Sequence, residues 1–127
     1  MDILSVLKED YGRFPENQTY SIYAKDVYFK DPLNEFQGVN RYKQMIGFIK
    51  RWFINVRMDL YEIKQDNEKI LTRWMLSWNA PLPWKPRMEI SGWSELKVVE
   101  GLIVSHIDYW DCSVWDVGKQ LWFGKNS

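Results

Sequence analysis

The sequence predicts an α+β domain: a cone-shaped, curved antiparallel sheet of about four long strands, packed on three N-terminal helices and followed by a short C-terminal helix. Three observations carry this prediction. Apolar residues recur at helical spacing only toward the two ends of the chain. Four strand-like runs succeed one another between those ends with no helix among them, which excludes alternating βαβ units. The chain has 127 residues, enough for one core and too few for two.

Over Met1 to Arg13, Ile3, Leu7 and Tyr11 form one helical stripe that Phe14 continues, and Pro15 stops the helix. Residues 16–19 are polar and supply caps for a short second helix through Tyr20, Ile22, Tyr23 and Ala24. Residues 26–34 read as a brief extended piece that turns at Asp31-Pro32, since a residue before proline is pushed out of helical geometry. After Gly38, Tyr42, Met45, Ile46, Ile49, Trp52, Phe53 and Val56 mark the third and longest helix, with Arg41, Lys43, Lys50 and Arg51 on its wet side. The strand-like runs are 57–65, 69–79, 87–98 and 102–110. Asp66-Asn67-Glu68 and Val99-Glu100-Gly101 are short enough to close antiparallel hairpins. The middle connection, 80–86, holds Pro81, Pro83 and Pro86 and stays outside the hydrogen-bond ladder. Val114, Val117, Leu121 and Trp122 then fit a terminal helix over 111–123, with Ser113 as its cap.

Composition removes several classes of function. The 17 basic and 17 acidic residues cancel, so the chain lacks the basic field on which nucleic acid or an anionic membrane surface depends. No apolar run approaches the roughly 20 residues of a membrane-spanning helix, and membrane insertion is not expected. A single cysteine, Cys112, forms no internal disulfide, and with the single histidine, His106, it is too little for a Cys/His zinc site. A reducing, cytoplasmic setting follows as the expectation, with Cys112 a small buried hydrophobe. Phosphate-cradling loops, nucleophile elbows and metal-ligand motifs do not occur, so neither metal nor cofactor is expected. The anomaly is aromatic content: eight Trp, seven Tyr and six Phe make up 17% of the chain, and their NH and OH groups need partners inside.

Strand alternation sorts the candidate residues, because positions two apart share a face. His106, Asp108 and Trp110 share one face of the last run, and Trp74 and Trp78 share one of the second. Gly92 in mid-strand implies a bulge or sharp bend about which the sheet curls. His106 and Asp108 have backbones about 6.5 to 7 Å apart and bond directly only if their side chains lean together. Two readings of the pair stand open: a base with its orienting acid, or a buried polar network. Asp31 is either a proton acceptor at the cone mouth or a turn-former. Tyr20, Tyr23 and Tyr28 are candidates to line a pocket, and Trp74, Trp78, Trp93 and Trp110 to form a stacking wall for a planar ligand; for each the alternative is core packing. Trp84, in the proline-stiffened loop, is either a partner contact or a loop tip folded back.

The order of elements and several strings resemble a known superfamily. YAKDVYFKDPLNEFQG (23–38) and GLIVSHIDYWD (101–111) resemble the segment after the second helix and the last strand of the nuclear transport factor 2-like, or SnoaL-like, superfamily. RFPENQTYSIYAKDVYFKDPLN, LSWNAPLPWKPR and SGWSEL look like an uncharacterised subgroup found in photosynthetic organisms, in cyanobacteria and plastids. The resemblance implies a cone-shaped α+β barrel whose members include polyketide cyclases, a steroid isomerase, a dehydratase, an epoxide hydrolase and non-enzymatic domains. It also implies that His106 and Asp108 fall near the acid/base groups of the cyclases. The hydrolase Arg and Asp triad has no secure counterpart, although Arg87 and Glu89 share a strand face. Fold does not choose among these activities. Three expectations remain: a binding domain for a small apolar ligand; an acid/base enzyme using His106 and Asp108, helped by Asp31 or a tyrosine; and an interaction module, such as a homodimer, with a filled cone.

Overall fold

The computed structural model describes residues 2–123. Met1, with which the first helical segment was expected to open, lies outside them. Helix α1 spans Ile3–Gly12, and Asp2 caps it by accepting the Ser5 amide at 2.9 Å. A single 3₁₀ turn, Tyr20–Ile22, follows before strands β1 (Tyr23–Lys30) and β2 (Glu35–Gln37). Helix α2 spans Val39–Trp52, and the long strands β3 (Ile54–Asp66), β4 (Lys69–Asn79), β5 (Arg87–Val99) and β6 (Leu102–Trp110) lead to helix α3 (Val114–Phe123). The curved sheet has the order β2-β1-β6-β5-β4-β3. No described helix is long and apolar enough to cross a membrane.

The α+β class stands as expected, while two helix boundaries and the composition of the sheet are corrected. The expected second helix shrinks to the 3₁₀ turn, while Tyr23 and Ala24 begin β1. Tyr23 pairs with Ile103 and Phe29 with His106 across a parallel β1–β6 ladder, so the sheet is mixed rather than purely antiparallel and has six strands. The third helix ends at Trp52, and Val56 lies in β3, where Asn55 takes a left-handed φ of 52° at a register shift. Gly38 at φ 111° makes the turn into α2, a conformation open to glycine and strained for other residues.

Gly92 does not mark a bulge in its ladder with β4: Trp74 pairs with Gly92 in unbroken register. It marks a close approach instead. A methyl group at Gly92 would run into the Tyr109 carbonyl oxygen and the Trp74 ring. Ser113 and Asp116 exchange backbone bonds of 3.1 Å at the start of α3, so the cap expected at Ser113 forms with an acidic partner.

Two apolar clusters fill the interior. One joins Leu7, Val27, Phe29, Ile46, Ile70, Leu96 and Ile103 between the helices and the sheet. The other gathers Trp74, Trp78, Met88 and Ile90 toward β3 and α3. They do not merge, and a cavity remains between them.

Candidate functional site

The cavity has a volume of about 640 Å³ and draws its wall from both clusters: Phe29, Tyr42 and Ile46 on one side, Trp74, Trp78 and Ile90 on the other. That size suits a drug-sized molecule. Asp108 is its polar floor, and strand register sets a buried polar row behind that residue. Thr72 on β4 stands opposite Ser94 on β5, and Ser94 stands opposite Asp108 on β6, so three inward polar residues form one row across the sheet. Helix α1 adds Tyr11, whose hydroxyl bonds Thr72 Oγ1 at 2.8 Å.

His106 and Asp108 lean together as the direct pairing requires: His106 Nε2 lies 2.8 Å from Asp108 Oδ1. Ser94 donates its hydroxyl to the same oxygen at 2.5 Å, and Trp74 Nε1–H donates to Ser94 Oγ at 2.8 Å. Asp108 Oδ1 is therefore held from two sides. Among the described residues Oδ2 has no protein partner, yet it is not a sealed unpaired atom, so it keeps solvent contact within the cavity. His106 is the reverse case. Its Nδ1 is buried and without a partner, and the ring packs among Phe29 at 5.1 Å, Tyr42 at 5.9 Å and Tyr23 at 6.4 Å. Both side chains line the cavity, but the acid keeps a free oxygen there while neither imidazole nitrogen is free, so the imidazole orients the acid.

Three tyrosines surround this floor. The Tyr23 and Tyr42 hydroxyls lie 3.4 Å apart, and burial pushes Tyr11, Tyr23 and Tyr42 above the ordinary phenol range, with the Asp108 charge adding to the shift of each. Their hydroxyls stay protonated and available as donors. Asp31 sits in the cavity wall as well. Its Oδ1 accepts the Leu33 amide at 2.8 Å and the Asn34 amide at 2.6 Å, so the turn-forming alternative is realised. Burial nonetheless pushes its carboxyl up, against those hydrogen bonds, and the Asp108 charge contributes in the same direction.

Of the expected aromatic lining, Tyr23, Trp74, Trp78 and Trp110 reach the cavity. Tyr20, Tyr28 and Trp93 do not. Tyr20 meets Tyr42 edge-on at 6.1 Å under the Lys43 ammonium. Tyr28 donates its hydroxyl to Glu35 Oε2 at 2.7 Å. Trp93 stacks on Tyr109 at 4.2 Å, because its strand parity points away from Gly92 and Ser94 and so to the outer face. Trp84 is 49% exposed. The indole donates Nε1–H to the Leu121 carbonyl at 2.6 Å and stacks on Trp122 at 5.3 Å, so the loop folds onto α3 and not onto the sheet. Arg87 bonds Ser77, Asn79 and the Asn55 carbonyl instead of forming a triad, and Cys112 is half-buried, its thiol pushed up by that burial.

Sequence reading missed Tyr11, Tyr42, Thr72 and Ser94. The signal for the last two was available: each is a hydroxyl on a strand face with no other polar side chain between Ile70 and Trp78 or between Met88 and Leu96.

This cone of curved sheet and helices is a nuclear transport factor 2-like, SnoaL-like fold, as its structural neighbours show. A hypothetical protein with a ketosteroid isomerase-like fold from Catenulispora acidiphila, in complex with trimethylamine, superposes with a TM-score of 0.75 at 14% identity, covering 93% of this chain and 90% of that one. A putative SnoaL-like polyketide cyclase from Jannaschia sp. CCS1 gives 0.71 at 7% identity, over 85% and 84% of the two chains. An epoxide hydrolase of M. tuberculosis, described as LEH-like, gives 0.67 at 17% identity, over 96% and 84%. At such identities the likeness is one of fold. Among curated proteins none matches the sequence. The chain belongs to the family described as uncharacterized conserved protein DUF2358, whose model matches residues 1–106.

Proposed function

We propose that this protein binds a small, largely apolar molecule inside the cone and anchors one polar group of that molecule on Asp108. The observation that carries the reading is Asp108 Oδ2, the free oxygen of a carboxylate oriented by Ser94 and His106 at the floor of a 640 Å³ aromatic cavity. Pockets of this kind, apolar with a few placed polar groups, suit recognition of one small molecule. The cavity also weighs against the interaction module with a filled cone. The test uses N-phenylnaphthylamine, a neutral apolar dye whose emission rises in a dry site. Saturable binding of one dye per chain is expected, and a linear, unsaturable rise would overturn the reading.

A second reading, acid/base catalysis, is favoured by the same pair with the expected roles exchanged. Asp108 would be the group that accepts a proton from a substrate, because His106 presents no free nitrogen to the cavity. The cyclase and the hydrolase among the neighbours keep this reading in view. Three finer expectations rest on sequence features: a photosynthetic host on the strings shared with that subgroup, a cytoplasmic setting on the lone Cys112, and a homodimer on the habit of the superfamily.

A further inference from the structure

We propose that the occupant of the cavity is an apolar amine bound as its ammonium ion, with Asp108 as counter-ion and the surrounding aromatic rings as cage. The inference rests on the reading of the cavity as a small-molecule site and adds the charge of what it takes.

The first support is the charge balance of the wall. Among the described residues the one ion-pair partner of Asp108 is His106, at 2.8 Å. With Nε2–H donating to Asp108, a second proton on the ring would sit on Nδ1, which is buried and has no acceptor. A buried N–H without a partner is costly, so the geometry favours the ring hydrogen on Nε2, toward Asp108, and a bare Nδ1. Among the described residues Arg41 is the one Lys or Arg side chain in the cavity wall, and its guanidinium lies over the Phe36 ring, 5.5 Å from the centroid. Asp10, also in the wall, is matched by Arg13 at 2.8 Å. Asp31 adds a carboxylate that feels the charge of Asp108. An anionic ligand would meet two like charges, and a neutral one would leave the Asp108 charge desolvated and uncompensated.

The second support is the aromatic enclosure. Tyr11, Tyr23 and Tyr42 line the same cavity as Asp108, while Trp74 is tied to it through Ser94 and Trp110 follows two residues on along the same strand face. Ring faces carry negative electrostatic potential and attract a cation, most strongly where water is excluded. A carboxylate within aromatic walls recognises both ends of an apolar ammonium, its charge and its hydrocarbon body.

The experiment compares adamantylamine, adamantanol and adamantanecarboxylate, three probes of one shape and different charge, by calorimetric titration of the full chain. The amine is expected to bind roughly tenfold or more tighter than the alcohol, with the carboxylate weakest. Asp108→Asn should bring amine and alcohol to within about threefold of each other. An alcohol that matches the amine, a carboxylate that binds tightest, or no binding by any of the three overturns the ammonium assignment. Saturable binding of the neutral dye alongside such a result leaves the cavity reading standing, whereas loss of both sinks the two together. Should Asp108→Asn fail to fold by circular dichroism, the ranking of the three probes on the unaltered protein decides.

Discussion

Asp31 illustrates how one side chain serves a turn while facing a cavity. Its Oδ1 ties the Leu33 and Asn34 amides, work that an amide oxygen performs equally well. Its charge, in contrast, is disfavoured by burial and by Asp108, so above the ordinary carboxylate range the ionised form opposes folding. Asp31→Asn is therefore expected to leave stability at neutral pH unchanged or raised by up to about 1 kcal/mol in denaturant melts, and a loss greater than that would contradict the account. His106 teaches a related lesson. Its sequence position two residues before Asp108 placed both on one face, but which of the two keeps a free polar atom was decided by the ring contacts of Phe29, Tyr23 and Tyr42, all distant in sequence.

Among the elements, β1 was the hardest to read. YSIYA carries aromatic residues at spacing that fits a helix, and the parallel ladder with β6 pulls Tyr23 and Ala24 into the sheet instead. Parallel partners are distant in sequence, so no local pattern announces them. The end of α2 was misplaced for a similar reason: Phe53 stacks on Trp78 at 4.3 Å, and that contact draws the chain into β3. Helix α3 was legible, but its anchor was not. Trp84 holds it through the Leu121 carbonyl and the Trp122 ring, while Trp115, Trp122 and Phe123 are largely exposed. Trp84→Ala should speed amide hydrogen exchange through residues 117–123 and leave exchange in β4 and β5 unchanged, because the lost contacts are confined to one helix. Equal protection of α3 in both proteins would show that this anchor is dispensable.

At the scale of the whole molecule, the three buried tyrosines set an alkaline limit. In the unfolded chain a phenol ionises near its ordinary value of 10.0, while burial holds Tyr11, Tyr23 and Tyr42 above it in the fold. Their contribution to stability is complete below about pH 10 and is lost as pH rises from there through the folded values. Unfolding at alkaline pH should thus coincide with the appearance of phenolate absorbance, and Tyr42→Phe should move that transition to higher pH relative to the protein's neutral stability. A transition unmoved by the substitution would show that Tyr42 is not among the groups that drive it.

The α+β class, the four long strands, their short turns and the shared face of His106, Asp108 and Trp110 were determined by the sequence alone. Each follows from periodicity or from turn chemistry, which act over a few neighbouring residues. Tertiary structure decided what depends on elements meeting: the parallel β1–β6 pair, the row of Thr72, Ser94 and Asp108, the displacement of Trp93 and Tyr28 from the cavity, and the cavity itself. Whether a cone is solid or hollow depends on how large side chains from several strands and helices fail to interlock, and close packing is a property of the assembled interior rather than of any one segment.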